Sequence, residues 1–170
     1  MKRLWAPWRM EYILDNDKHN ECLFCSISTR ENQKNSKNDR ENLILQRGRH
    51  CFVVLNKYPY NCGHLMIVPY FHTSSFDCLS DEVLFDLIKV QRNSVDILNK
   101  ALSPDGFNLG LNIGKVAGAG MESHMHLHVV PRWTGDTDSM PIIAETRVIP
   151  EHLKKSYNKL NRMFAKLKPQ

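Results

Sequence analysis

The run His124-Met125-His126-Leu127-His128-Val129-Val130 alternates three imidazoles with apolar side chains. In an extended strand successive side chains point to opposite faces, so His124, His126 and His128 are expected to share one surface while Met125, Leu127 and Val129 share the other. Rings on that surface start roughly 6.5–7 Å apart at the backbone, close enough for all three to touch one small anionic group or for two to share a metal. A neutral imidazole, with an unperturbed pKa of about 6.5, is a usable nucleophile near neutral pH and can attack phosphorus to give a readily hydrolysed phosphoramidate. The middle ring, His126, is best placed for that attack, and His128 to contact the phosphoryl oxygens. The glycine-rich stretch Gly114 to Gly120 leads into the row. Backbone N–H groups of Gly118, Ala119 and Gly120 can meet developing negative charge there, because glycine lets the main chain come close. Elsewhere, Cys22 and Cys25 form a C-x-x-C pair, which supplies two of the four ligands a tetrahedral structural zinc needs.

The elements that must position these groups are legible as periodicities. Leu43 to Gln46, His50 to Leu55 and His64 to Val68 are short β-prone runs separated by Gly48 and the Pro59-Tyr60-Asn61-Cys62-Gly63 turn, which predicts an antiparallel meander. Phe107 to Asn112 and Met125 to Val130 are two further strands. From Ser80 the period changes: Ser80 can cap a helix whose first turn carries Asp81 and Glu82, with Leu84, Leu87, Ile88, Val95 and Leu98 on one stripe up to about Ala101. Pro150 is expected to open a last helix over 150–168, with Leu153, Tyr157, Leu160, Phe164 and Leu167 at three-to-four spacing. An aromatic N-terminal segment, 1–22, could hold a short helix from Arg9 to Leu14. The stretch 29–42 is almost wholly polar and reads as a loop. Strands and helices segregate, so the class is α+β.

With 170 residues, 42% hydrophobic and 24% charged, the chain suits one domain, 1–170. No apolar run of 18 residues occurs, and the N-terminus lacks the pattern of a secretory signal, so a cytoplasmic location and no membrane association are expected. Five cysteines without a framework pattern favour metal or redox use over structural disulfides. A net charge of +5 points weakly to anionic partners, but its spread gives no nucleic-acid-binding patch.

The H-φ-H-φ-H-φ-φ row after a glycine loop resembles the histidine-triad (HIT) family of nucleotide hydrolases and transferases. The likeness extends to Asn56 in Val54-Leu55-Asn56-Lys57, to the Gly63-His64-Leu65-Met66-Ile67-Val68-Pro69 strand, to His72, to the long helix and to Asn112-x-Gly114. The Leu4-Trp5-Ala6-Pro7-Trp8-Arg9 opening and Pro131-Arg132-Trp133-x-Gly135-Asp136 look like the branch containing diadenosine tetraphosphate phosphorylases. The resemblance implies a HIT-type antiparallel sheet with a long packed helix and a C-terminal helix, and a homodimer. It implies catalysis on diadenosine polyphosphates or related nucleotide conjugates through a nucleotidyl-His126 intermediate, with no organic cofactor. It also implies Asn56 at the ribose hydroxyls, His64 as an additional active-site histidine, Asn112 near the phosphates, and a structural zinc on Cys22, Cys25, His72 and His124. Many family hydrolases carry a glutamine, and the phosphorylase-like branch often a serine, where this chain has Gly120 or Met121, which leaves water and inorganic phosphate both open as acceptor. Two other classes stay in play: a metallohydrolase with a catalytic zinc on the H-x-H pair, and a nucleotide-binding module of low turnover.

Overall fold

The computed structural model of the chain describes residues 22–28, 36–136 and 151–166. The expected Arg9–Leu14 helix, Trp5, Trp8, Pro150 and Leu167 lie outside them. Five strands, β1 (Ile44–Arg47), β2 (Cys51–Leu55), β3 (Leu65–Pro69), β4 (Gly106–Leu111) and β5 (Leu127–Arg132), form one sheet in the order β1-β2-β3-β5-β4 with every neighbouring pair antiparallel. The first three make the expected meander. The architecture is α+β. Among the described residues no helix is long and apolar enough to cross a membrane.

Alternation along the strands divides the core into two layers. One face presents Val53, Leu55, Leu65, Ile67, Leu127 and Val129 to α3 (Asp81–Leu102) and α4 (Leu153–Phe164), which insert Leu87, Ile97, Leu98, Leu160 and Phe164. The other face carries Phe52, Val54 and Val68 against Phe24 of a six-residue helix, α1 (Leu23–Ser28). His128 stands opposite Met66 of β3 and Gly110 of β4, on this second face. The histidine side of the sheet is therefore covered by the cysteine-bearing helix, and the long helix supports it from behind.

Several expectations need correction. Ser80 occupies the N-cap of α3 with extended backbone, yet its side chain makes no capping bond; its carbonyl accepts from Leu84 N–H at 3.0 Å, and Asp81 and Glu82 favour the positive helix end. Ile88 is exposed: the buried positions Leu87, Val90, Ser94, Ile97 and Leu98 fix a stripe from which residue 88 is turned by about 100°. α4 starts at Leu153, where His152 Nδ1 accepts the Lys154 N–H at 3.3 Å. The 29–42 stretch is not all loop, because Ser36–Glu41 forms a short helix, α2. Its Asp39 pairs with Arg47 at 2.8 Å, and the same guanidinium donates to the Ile27 carbonyl at 3.0 Å, so one half-buried cation ties α1, α2 and β1 together. The C-x-x-C segment runs into α1, so Cys25 stands on the helix and Cys22 just before it.

The turn before β3 depends on one glycine. Gly63 has φ +72°, and a Cβ there would sit 2.5 Å from Leu102 Cδ1 and 3.3 Å from Leu98 Cδ2. Gly63→Ala is expected to lower stability by about 2 kcal/mol through left-handed strain and overpacking, read as a fall in the urea midpoint at unchanged slope.

Candidate active site and metal cluster

The three histidines divide into two groups. β5 begins at Leu127, so His124 and His126 precede the regular strand, with Met125 N–H donating to Thr73 O at 2.7 Å. His124 turns into a cluster with Cys22, Cys25 and His72. His126 and His128 remain together, their ring centroids 4.8 Å apart and nearly perpendicular.

In the first group His124 Nε2–H donates to the Pro69 carbonyl at 2.9 Å, which leaves Nδ1 as the lone-pair nitrogen. That Nδ1 lies 3.3 Å from Cys22 Sγ, 3.6 Å from Cys25 Sγ and 3.2 Å from His72 Nδ1, while Cys25 Sγ is 3.2 Å from His72 Nδ1. All four ligand atoms fall within 4.8 Å of one another. Donor atoms bound at zinc–sulfur and zinc–nitrogen lengths in a tetrahedron are separated by about 3.4–3.8 Å, so these residues fit a four-coordinate ion with no position left for substrate. Burial pushes the Cys25 thiol up to about 11, and Cys22 beside it adds to the effect; a cation here must displace protons.

In the second group each proton can be placed from its partner. His126 Nδ1–H donates to the His124 carbonyl at 2.9 Å, so His126 Nε2 carries the lone pair. Tyr60 N–H donates to His64 Nδ1 at 3.0 Å, so His64 is protonated on Nε2, which donates to His128 Nδ1 at 2.8 Å. His128 therefore keeps its proton on Nε2, a buried atom with no hydrogen-bond partner among the described residues. Neighbouring rings thus offer one acceptor nitrogen and one donor nitrogen: one can attack, the other can hold an oxygen. Two lone pairs converging on a catalytic metal, as the H-x-H alternative needs, are not what this pair presents.

Burial holds all these rings neutral. It pushes His64 down to about 3, with the His128 and His126 rings adding, and His128 down to about 4, with His126 adding. His126 is lowered by burial and partly restored by the His124 carbonyl. The unfolded chain binds more protons than the folded one whenever the folded pKa is the lower, so this contribution to stability is complete above about pH 6.5 and is lost as pH falls through the folded values. The unfolding free energy, read from urea titrations, is expected to fall between pH 6.5 and 5, before carboxylates titrate, by up to roughly 1.4 kcal/mol per pH unit for each ring that stays neutral in the folded chain. A flat profile over that window would contradict the neutral, buried assignment.

Asn56 lies at the end of β2, its Oδ1 accepting Tyr58 N–H at 2.9 Å and its Nδ2 3.4 Å from His64 Nδ1. Asn112 follows β4; continuing the register by one residue beyond Leu111 opposite Leu127 sets it across from His126. The glycine loop turns through a 3-10 segment, Lys115–Ala117, with Gly118 at φ +85°. Its N–H groups are partly used: Gly118 donates to Lys115 O at 2.9 Å and Ala119 to Gly114 O at 3.4 Å, whereas Gly120 N–H makes no such backbone bond among the described residues. Sequence reasoning missed Phe24, whose ring lies 5.4 Å from His124 and 5.1 Å from His126, and Tyr60, 4.7 Å from His64 and 5.8 Å from His128. An aromatic inside the C-x-x-C pair and another in the turn before the Gly-His strand were the available signals.

The HIT domain family profile matches residues 37–135. An AP-4-A phosphorylase of Mycobacterium tuberculosis is 37% identical over 155 residues, covering 91% of this chain and 80% of that protein. Among solved structures, a Zn-bound histidine triad family protein from Mycobacterium smegmatis superposes with a TM-score of 0.65 at 25% identity, over 85% of this chain and 94% of that one. A hypothetical histidine triad nucleotide-binding protein from Sulfolobus tokodaii does so with 0.62 at 28% identity, over 84% and 89%.

Proposed function

Since this chain belongs to the histidine-triad (HIT) family and is a nucleotide phosphohydrolase or phosphorylase of it, we propose that His126 cleaves diadenosine polyphosphates or related nucleotide conjugates through a covalent nucleotidyl-histidine. The observation that carries the reading is the hydrogen-bond pattern: His126 Nδ1 is engaged by the His124 carbonyl and His128 Nδ1 by His64 Nε2, which leaves both Nε2 atoms for substrate. In the first half-reaction Nε2 attacks the α-phosphorus, the phosphorus–nitrogen bond forms, and the bond to the bridging oxygen breaks with the electron pair leaving on the polyphosphate. His128 donates to a non-bridging oxygen, and Gly120, with Gly118 and Ala119 shaping the loop, lines the phosphates beside Asn112. In the second half-reaction an oxygen of water or of inorganic phosphate attacks, the phosphorus–nitrogen bond breaks, and the lone pair returns to Nε2. Asn56 has one amide hydrogen left for a ribose hydroxyl, and His64 orients His128.

Cys22, Cys25, His72 and His124 would hold a structural zinc that contributes stability. The Zn-bound relative and the tetrahedral spacing support this. The protein works as a homodimer and a single domain in the cytoplasm, consistent with five free cysteines, with no nucleic-acid or membrane partner.

Mixing the purified chain with diadenosine tetraphosphate, with and without inorganic phosphate, tests the reaction. ADP and ATP formed only with phosphate mark a phosphorylase; AMP and ATP without it mark a hydrolase. Rapid quenching should capture a chain heavier by one nucleotidyl group, and its absence throughout turnover would refute the covalent route.

A further inference from the structure

We propose that Asn56 is a positioning residue that sets the tautomer of His64 and, through it, makes His128 a hydrogen-bond donor to substrate. Its catalytic consequence rests on the reading above; the tautomer itself does not. The Asn56 amide is oriented by the chain, because Tyr58 N–H donates to Oδ1 at 2.9 Å and so turns the NH2 towards His64 Nδ1, 3.4 Å away. Tyr60 N–H reaches the same nitrogen at 3.0 Å. Two donors facing one ring nitrogen require it to be bare. His64 must then be protonated on Nε2, His128 must accept on Nδ1 across 2.8 Å, and the one nitrogen of the pair left for a ligand, His128 Nε2, must carry hydrogen.

The arrangement is directional. For His128 to gain a second proton on Nδ1, His64 would have to move its own to Nδ1, against both donors. His64 and His128 are buried and the Tyr60 ring packs against both, so the constraint acts where solvent competes little for these nitrogens. His128 is thus held as a neutral donor. A residue at position 56 that accepts instead of donating reverses the chain: a carboxylate draws the His64 proton to Nδ1 and outweighs the single Tyr60 N–H, because charge-assisted hydrogen bonds are roughly twice as strong as neutral ones.

The experiment uses the full chain, as purified and without nucleotide, carrying 15N-labelled imidazoles, and reads each nitrogen by long-range proton–nitrogen correlation. The parent is expected to show protonated Nε2 and bare Nδ1 on both His64 and His128. In Asn56→Asp both patterns should invert, with bare Nε2 on His128. A folded Asn56→Asp protein with unchanged patterns overturns the proposal. So does a parent whose His128 carries its proton on Nδ1, a result that needs no variant. Because no turnover is measured, a chain that never forms a nucleotidyl adduct tests this tautomer assignment equally well.

Discussion

His126→Ala is expected to lose nucleotide cleavage by roughly 10⁴- to 10⁶-fold, the scale on which enzymes lose a covalent nucleophile. Alanine has no lone pair to offer phosphorus, while the donors around the phosphate site remain, so a small residual rate over water survives. The fold should survive too. His126 is buried, and its ring touches Phe24 and His128 at centroid distances of 5.1 and 4.8 Å. Truncating it opens a cavity costing about 1–3 kcal/mol, or a few degrees of melting temperature. His126→Asn is the sharper variant, because its amide N–H can replace the bond to the His124 carbonyl without supplying a nucleophile. Initial rates on diadenosine tetraphosphate, with circular dichroism as the fold control, decide the matter. A folded variant as fast as the parent would remove His126 from the chemistry and return attention to metal-assisted hydrolysis.

The second large effect concerns the cluster behind that ring. Protein purified without a nickel column is expected to carry one zinc per chain, and Cys22→Ser/Cys25→Ser to carry none and to melt about 10 °C lower. Structural zinc supplies about 10–16 kcal/mol in peptides that fold only with metal. Here the sheet and the long helix have a core of their own, so about 3–5 kcal/mol is the expected share, and each kcal/mol is worth about 2–4 °C in a chain of this size. Activity should fall in the same variant by an indirect route: His124 carries both a cluster nitrogen, Nδ1, and the carbonyl that holds His126 Nδ1–H. Metal analysis beside scanning calorimetry with and without chelator makes the test. Zinc near zero together with an unshifted transition in the serine variant would leave the four residues as a reduced thiol–imidazole cluster only.

The histidine row, the meander and the long helix were readable because period-two and three-to-four spacing are written locally in the chain. What the periodicity could not supply was the division of labour among three similar rings. An alternating strand puts His124, His126 and His128 on one face; the observed strand starts at Leu127, and the Pro69 carbonyl draws His124 aside. The helix at Ser36–Glu41 was hidden for a related reason: it has no apolar stripe to give a period, and it is held by the Asp39–Arg47 pair, a tertiary contact. The role proposed for Asn56 rests on resemblance, and that of the glycine loop on the close backbone approach glycine allows. Their hydrogen bonds show what propensity cannot, that Asn56 already spends its carbonyl on Tyr58 and that Gly118 and Ala119 spend their N–H groups within the loop.

Cys22 and Cys25 meet a histidine 102 and 99 residues further along the chain. Closing so long a loop is entropically slow, and nothing rewards it until β3 and β5 have paired and set His124 in place. The four cluster residues are consequently expected to converge last during folding, after the sheet exists to receive the cysteine helix. Zinc capture then reports completed assembly: in refolding, sheet formation should precede uptake of the ion, and a chain arrested before that step would expose the Phe24-binding face and lack the lock that closes over it.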